Sequence, residues 1–514
     1  MKNNIIVSGA FVLFVGSLSS GLLGFLREVY VASFLGVGKE IDAYLIASTI
    51  PNFFQSIVCS IFIGVFIPVY IKKRNSSSEQ EAWNFISSIA NLIFVFLFCI
   101  GVVFMFFSKQ ILMIFVNDLS SLKLVQHLTL ILFLALLFYA LSFMQTSILN
   151  TYNSFTIPAF LTVVNNVVVI VFIIVFSKSI GVYAIAIGYL FGTIVQVFVQ
   201  YLKIKKYGFK YYFHLNLSKS EVSSTFYMFL PILSITLVDQ LGILISRFFA
   251  SQMQTGSVAA LNYATRLIML PVTVIGASII NASYPTIINS VDKGNIHDIN
   301  NIVTNTFKFI ILSLIPVITV LVMYKREVVK IIFERGAFDQ NATIMTSDAL
   351  FYFACGIVFI VLKDFLNRLM FSHQVYKNTI IASTIFVISF VIICVVLIPY
   401  IGHISIAIAN TIGMFFSFIY LLKTYLKLNF QYKVLISISY ILKIISASAV
   451  ANIFGYMIYR SIDIYDFNDL LEFFLAIFCS LVVYIFLLKM LKIQEIDKII
   501  LVFKKKIGNY SAIS

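Results

Sequence analysis

The stretch Leu92–Phe107, LIFVFLFCIGVVFMFF, carries no charged side chain and no alternation of apolar with polar residues. Ile380–Ile398, IIASTIFVISFVIICVVLI, has the same character. A strand of a membrane barrel alternates between lipid and lumen, so runs like these satisfy their backbone hydrogen bonds in lipid only as helices. About fourteen such runs, each near the length of a bilayer crossing, fill the chain from Ile5 to Met490 with short polar breaks between them. The spans are expected at residues 5–26, 43–71, 84–107, 124–149, 158–177, 181–202, 225–250, 259–290, 303–323, 344–371, 378–398, 402–424, 434–458 and 469–490. The fold class is all-α and polytopic.

Composition points the same way. The chain is 61% hydrophobic and 11% charged, with 53 Phe among 514 residues, and its mean hydropathy is +1.02. A water-soluble domain could not stay dissolved with that balance. The net charge of +15 reads as membrane topology rather than nucleic-acid binding, because no soluble segment is long enough to fold around a basic patch. Cys59, Cys99, Cys355, Cys394 and Cys479 all lie in apolar runs, without metal or redox spacing, and read as reduced packing residues. The five histidines are scattered, and no HExxH, nucleophile elbow or Walker loop is present. No metal and no cofactor is expected, and an ion gradient or the membrane potential is left as the energy source. The first apolar run exceeds signal-peptide length and is expected to remain as span one.

Loops alternate in charge. With the N-terminus inside, the inner segments hold about twice as many Lys and Arg as the outer ones, which predicts both termini in the cytoplasm. Within the chain, Ile180–Ile187 recurs as Ile401–Ile408, and Gly192 and Lys206 meet Gly413 and Lys427 at the same offset. Both copies open a span and lead to a basic inner loop, so span six matches span twelve in the same orientation. An even offset of six spans predicts two six-helix lobes related by a parallel repeat. The domains expected are an N-lobe over 1–220, a C-lobe over 221–430, and spans thirteen and fourteen with a basic cytoplasmic tail over 431–514. Glu327–Phe338 is expected as an amphipathic helix at the outer surface, with Ile331, Ile332 and Phe333 facing lipid.

A charge inside a bilayer costs several kcal/mol unless it meets protein, water or ligand, so each one is a candidate site. Arg27 and Glu28, followed by Asp42, form the first group. One reading makes them an outer-surface ion cluster; the other turns Arg27 into a cavity as an anion ligand, its guanidinium fork held by a carboxylate. Arg266, early in span eight and five residues before Pro271, is the second anion-ligand candidate. Asp239 and Arg247 share a face of span seven and read as an intramembrane stabilising pair. Lys363, beside Asp364 on span ten, is read as snorkelling or paired. Gln145, Asn150, Asn153, Asn165 and Asn166 form a polar stripe typical of helix–helix contacts.

At these residues the chain resembles the MurJ/MviN flippases of the multidrug/oligosaccharidyl-lipid/polysaccharide exporter superfamily, over nearly its whole length. The matching stretches are Ser20–Glu28, Asp42-Ala43 with Ile50-Pro51-Asn52, Phe66-Ile67-Pro68, Leu149–Tyr152 through Ile157–Phe160, Tyr263–Leu267 and Phe333–Phe338. The resemblance implies a flippase for lipid II, the undecaprenyl-diphosphate-linked peptidoglycan precursor, in the bacterial cytoplasmic membrane. It implies rocking lobes around a cationic cavity that grips the diphosphate, with Arg27 and Arg266 as cavity arginines and Glu28 and Asp42 as their acidic companions. Ser20, Gln55, Arg247 and Lys363 are weaker candidates for the same cavity. The resemblance also makes spans thirteen and fourteen a groove for the lipid tail. Gly21, Gln55 and Ser60 depart from it, since the family usually has arginine, arginine and glutamate there. The expected partners are the polyprenyl-diphosphate-linked glycan and membrane lipids, with the protein a monomer that works beside cell-wall synthesis proteins.

Three other functions compete. A flippase for another polyprenyl-linked oligosaccharide, an O-antigen or capsule unit, fits the thinned cavity charge. A small-molecule efflux pump would need an acidic cation site and no tail groove. A polytopic glycosyltransferase would need paired carboxylates in an outer loop, where Asp463, Asp466 and Asp469 read as a solvated turn.

Overall fold

The computed structural model describes residues 2–62, 67–76, 78–116, 118–213, 219–428, 431–462 and 469–497. Asp463, Asp466, Phe66, His214 and the basic tail beyond residue 497 lie outside the described residues. Among the described residues every regular element is helical. In chain order they are α1 (Lys2–Leu35), α2 (Lys39–Ala47), α3 (Thr49–Ile61), α4 (Ile67–Ser76), α5 (Glu79–Leu112), α6 (Leu119–Thr151), α7 (Thr156–Ile180), α8 (Tyr183–Ile204) and α9 (Lys219–Ser251). There follow α10 (Ser257–Pro271), α11 (Ala277–Asp292), α12 (Ile296–Met323), α13 (Lys325–Phe333), α14 (Gln340–Ser372), α15 (Tyr376–Ile401), α16 (Ile404–Leu428), α17 (Ile438–Ile462) and α18 (Asp469–Met490).

Fourteen candidate membrane spans are found among them, the number expected from the sequence. The chain is a multi-pass membrane protein. The helix that carries the first span, α1, runs on to Leu35, past residue 26 where that span was expected to end. Arg27 and Glu28 therefore sit inside α1 and not in an outer loop. The helix runs on because Val29, Tyr30, Val31 and Ala32 continue an apolar surface beyond the charged pair.

Helix starts follow local chemistry. The Asp118 carboxylate accepts from the backbone N–H groups of Ser120 and Ser121, each at 3.3 Å, and begins α6. Its pKa lies well below the usual carboxylate range, first because the Lys39 ammonium sits 2.6 Å away, then because of these N–H groups and the Ser120 hydroxyl. Ser78 accepts from Glu81 N–H to begin α5.

The chain divides into two compact units. The first is Met1–Tyr263 with Phe333–Ala342. In it, α8 packs on α7 through small residues: a Cβ on Gly188 would meet Phe172 at 2.9 Å, and one on Gly192 would meet Asn165 at 2.5 Å. Gln200 Nε2 donates to Ser142 Oγ at 2.7 Å and Gln196 Nε2 to Leu161 O at 2.7 Å, so polar side chains of α8 bind the neighbouring α6 and α7.

The second unit is Ala264–Ile332 with Thr343–Ser514. Here α17 lies against α12, with Asn452 Nδ2 donating to Thr319 Oγ1 at 2.8 Å, and Tyr484 of α18 donates to Leu312 O at 2.9 Å. Lys308 and Glu495 pair at 2.9 Å.

The repeat is visible in backbone conformation. Gly181 ends α7 at φ 55°, ψ −135°, and Gly402 ends α15 at φ 56°, ψ −134°. Their N–H groups return to Ser177 O and Ile398 O, at the same sequence offset that separates the two glycines. The hairpins α7–α8 and α15–α16 are thus built alike.

One expectation fails. Phe333 does not face lipid but is fully buried, with its ring centroid 6.1 Å from Phe25, 5.1 Å from Tyr263 and 5.6 Å from Phe338. Helical periodicity placed it on the apolar face of α13, but α13 ends there, and the chain turns at Gly336 to bring Phe338 onto the same cluster.

Candidate substrate site

Arg27 is anchored from two sides. Its Nη2 donates to Glu28 Oε1 at 2.7 Å and its Nη1 to Asn166 Oδ1 of α7 at 3.1 Å. The Asn166 amide also donates to Ser20 O, at 3.3 Å, so one side chain fixes both the guanidinium and the preceding turns of α1. Of the candidate Ser20, it is the backbone that takes part. The pair is largely withdrawn from solvent, at 21% side-chain exposure for Arg27 and 8% for Glu28. A guanidinium held this way presents a planar donor fork whose rotamer is already chosen, which suits recognition of phosphoryl oxygens. Tyr44 and Tyr189 lie within electrostatic range of it. Tyr189 in turn donates to Gln55 Oε1 at 3.1 Å, which places Gln55 in a neutral polar cluster with Cys59 and Tyr139.

Asp42 performs a different task. Its Oδ2 accepts from Gly256 N–H at 2.5 Å and its Oδ1 from Ala259 N–H at 2.8 Å. The carboxylate caps the first turn of α10, where unpaired N–H groups and the helix dipole favour a negative charge. Around it the α1–α2 turn is tied down twice more: Tyr263 OH donates to Gly36 O at 3.2 Å, and Ala337 N–H to Ser33 O at 2.8 Å.

Arg247, on α9, donates to Asn262 Oδ1 at 3.1 Å and to Val258 O at 3.4 Å, and Asp42 is within electrostatic range. It lines a cleft of about 180 Å³ together with Ser48, Thr49, Asn52, Ser56 and Gln240. Asp239 is exposed on the same helix. Val258 and Asn262, which hold Arg247, both lie on α10.

In the second unit Arg266 is exposed on α10, between Tyr263 and Ala264 on one side and Leu267 and Ile268 on the other, all buried. The helix continues through a π-helical turn, Val272–Gly276, just after Pro271, and a Cβ on Gly276 would meet Val361 at 2.7 Å. Wide turns of this kind recur where a span bends near a site. Lys363 is buried at 6% exposure with its ammonium 5.4 Å from the Phe386 ring, and Arg368 lies 5.5 Å from the Tyr284 ring. Lys363 thus does not reach a surface, and the Phe386 ring on α15 receives its ammonium.

The structure therefore brings Arg27, Glu28, Asn166 and Ser20 together in one place, and Asp42 and Arg247 in another. Asn166 and Asn262 escaped the sequence reading as functional residues. The only signal for Asn166 was an Asn-Asn pair in the otherwise apolar run Val163–Val175.

Comparison with known proteins bears on what this arrangement serves. A family model described as Lipid II flippase MurJ matches residues 31–505. A probable lipid II flippase MurJ of Buchnera aphidicola subsp. Acyrthosiphon pisum is 24% identical over 492 residues, covering 94% of this chain and 96% of the relative. The lipid II flippase MurJ of Burkholderia cenocepacia is 24% identical over 409 residues, covering 77% and 79%. A solved structure of lipid II flippase MurJ in an inward closed conformation superposes with a TM-score of 0.80 at 25% identity, over 94% of this chain and 99% of that one. An inward-facing multidrug resistance MATE family transporter of the MOP superfamily shares the fold, with a TM-score of 0.66 at 13% identity over 82% of this chain and 98% of that one.

Proposed function

The chain belongs to the lipid II flippase MurJ family, a family of transporters rather than enzymes, and from that premise we propose that it carries lipid II from the inner to the outer leaflet of the bacterial cytoplasmic membrane. The observation that carries the reading is Arg27: a guanidinium inside a membrane span, held by Glu28 and Asn166 in a defined orientation. A diphosphate is the part of lipid II that such a group recognises.

Glu28 balances the arginine, and the diphosphate, with more negative charge and more acceptor oxygens, competes for it. Arg266 is the second cationic contact. Headgroup binding from the cytoplasmic side and release outside constitute alternating access, driven by the membrane potential or an ion gradient. Both termini lie in the cytoplasm, and the protein works as a monomer beside the cell-wall synthesis machinery. Asp42 supports the site indirectly, by fixing the start of the helix that bears Arg266.

The test is complementation of bacteria depleted of their own lipid II flippase, together with an assay of lipid II at the outer leaflet. Rescue with restored exposure is expected from the wild type, and none from Arg27→Ala or Arg266→Ala at normal membrane levels. A well-inserted wild type that fails both assays transfers the assignment to another polyprenyl-linked glycan. Full activity in both variants overturns the site.

A further inference from the structure

We infer that each compact unit is closed at one end by a strap of non-helical chain, residues 207–213 in the first and 431–437 in the second, and that both straps stay fastened while the protein changes conformation. That they stay fastened during transport rests on the flippase reading above; that they are fastened at all rests on contacts within each unit alone.

In the first unit the chain leaves α8 through a short 3-10 turn, Lys205–Tyr207, passes Gly208 at φ 74°, and runs against the first turns of α5. Ser87 and Asn91, one helical turn apart on α5, hold both backbone groups of Tyr212: its N–H donates to Ser87 Oγ at 3.1 Å, and its carbonyl accepts from Asn91 Nδ2 at 3.0 Å. Asn91 also accepts from the Tyr211 hydroxyl, and Gln80 Nε2 donates to Tyr212 OH at 3.3 Å. Rings fasten the other end. Phe209 meets the Trp83 ring edge-on at 5.0 Å, and Tyr207 stacks on Tyr152 at 4.6 Å.

The second unit builds the same device from other residues. On α12, Asn300 Nδ2 donates to Gln431 O at 2.8 Å and Asn300 Oδ1 accepts from Lys433 N–H at 3.0 Å; one turn on, Thr304 Oγ1 accepts from Leu435 N–H at 3.1 Å. Thr304 follows the N-cap Asn295 by as many residues as Ser87 follows the N-cap Ser78. Tyr432 stacks on Tyr425 at 5.1 Å and lies 5.4 Å from the ring of His373, which holds the place of Tyr152 at the offset that separates Gly181 from Gly402. The next residue is left-handed in both copies, Asn153 at φ 55° and Gln374 at φ 59°. Chain without regular structure usually opens first, because water can replace its hydrogen bonds. Here side chains of α5 and α12 hold that backbone, just where the chain sets out for α9 and for α17. A bundle that switches between discrete arrangements needs its ends held in this way, since a fraying end would let it deform gradually instead.

The test is hydrogen exchange, read by mass spectrometry on full-length protein in nanodiscs over the peptides that contain Tyr212 and Leu435, with and without undecaprenyl diphosphate. Wild type is expected to protect both segments, equally in the two conditions. Ser87→Ala/Asn91→Leu is expected to open the first strap about ten- to a hundredfold more often, the weight of the hydrogen bonds it removes, and to leave the second unchanged. Trp83, the one tryptophan of the chain, reports the same opening, as stronger quenching by acrylamide. If that variant does not fold, Phe209→Ala is read in the same two ways. Wild-type segments that exchange like unstructured peptide, or as fast as the variant, overturn the straps; segments protected only without the lipid overturn their staying fastened. In a background without the five native cysteines, joining Ser87→Cys to Tyr212→Cys with a short bis-methanethiosulfonate should leave lipid II exposure at the outer leaflet unchanged, and a loss that reductant restores overturns the inference as well. A wild type that exposes no lipid II overturns the flippase reading, and the exchange data then decide on the straps by themselves.

Discussion

Arg27 shows how a charge becomes tolerable and useful inside a span. Glu28 supplies the opposite charge and Asn166 a neutral acceptor, so the guanidinium is both compensated and aimed. Replacing one partner of a desolvated ion pair costs about 3–5 kcal/mol where the survivor stays buried, and Arg27 keeps about a fifth of its exposure, so Glu28→Ala should fall somewhat below that range. Asn166→Leu removes a hydrogen bond to a charged group, about 1.5–3 kcal/mol, together with the weaker one to Ser20 O. Thermal unfolding in detergent is expected to rank Glu28→Ala below Asn166→Leu and both below wild type; the reverse order would mean that the amide, not the carboxylate, holds the arginine. Arg27 and Glu28 were legible because charges in an apolar run are conspicuous. Asn166 was not, since it lies 139 residues from its partner and looks like any asparagine between helices.

At the scale of elements, the segment Phe333–Ala342 behaves as a clasp on the α1–α2 turn. Gly36 and Gly336 both adopt φ 62°, and each lies against the other's strand of chain: a Cβ on Gly36 would stand 2.2 Å from Ala337 O, and one on Gly336 2.2 Å from Ser33 O. Left-handed backbone alone costs a non-glycine residue roughly 1–2 kcal/mol, and here the clash adds to it. Gly36→Ala and Gly336→Ala are each expected to lower the melting temperature, and the double variant should cost less than the sum, because the first substitution already opens the contact. Strict additivity of the two would show that the segments do not act as one clasp. Asp42 belongs to this scale as well, since its carboxylate serves a helix start 214 residues away. The amphipathic pattern of α13 was readable, yet it misassigned Phe333. Periodicity reports which face is apolar, and lipid and protein interior are equally apolar.

Over the whole molecule, the matched family, fourteen spans and two like-built hairpins describe a polytopic transporter. The charge asymmetry of the loops predicts Lys73 on the inside and Lys39 on the outside. In a background without the five native cysteines, a membrane-impermeant maleimide added to intact cells should label Lys39→Cys and spare Lys73→Cys; the opposite pattern inverts the topology. Span number, helical class and the repeat were determined by sequence alone, because apolar length and the glycine that ends a span are local properties of the chain. The tertiary structure alone decided which polar groups meet: Arg27 with Asn166, Asp42 with the start of α10, Arg247 with Asn262. Every side chain within a span looks out on an apolar medium, so its own sequence neighbourhood cannot say whether lipid, a helix or a cleft lies opposite. That is settled only when segments distant in sequence pack together.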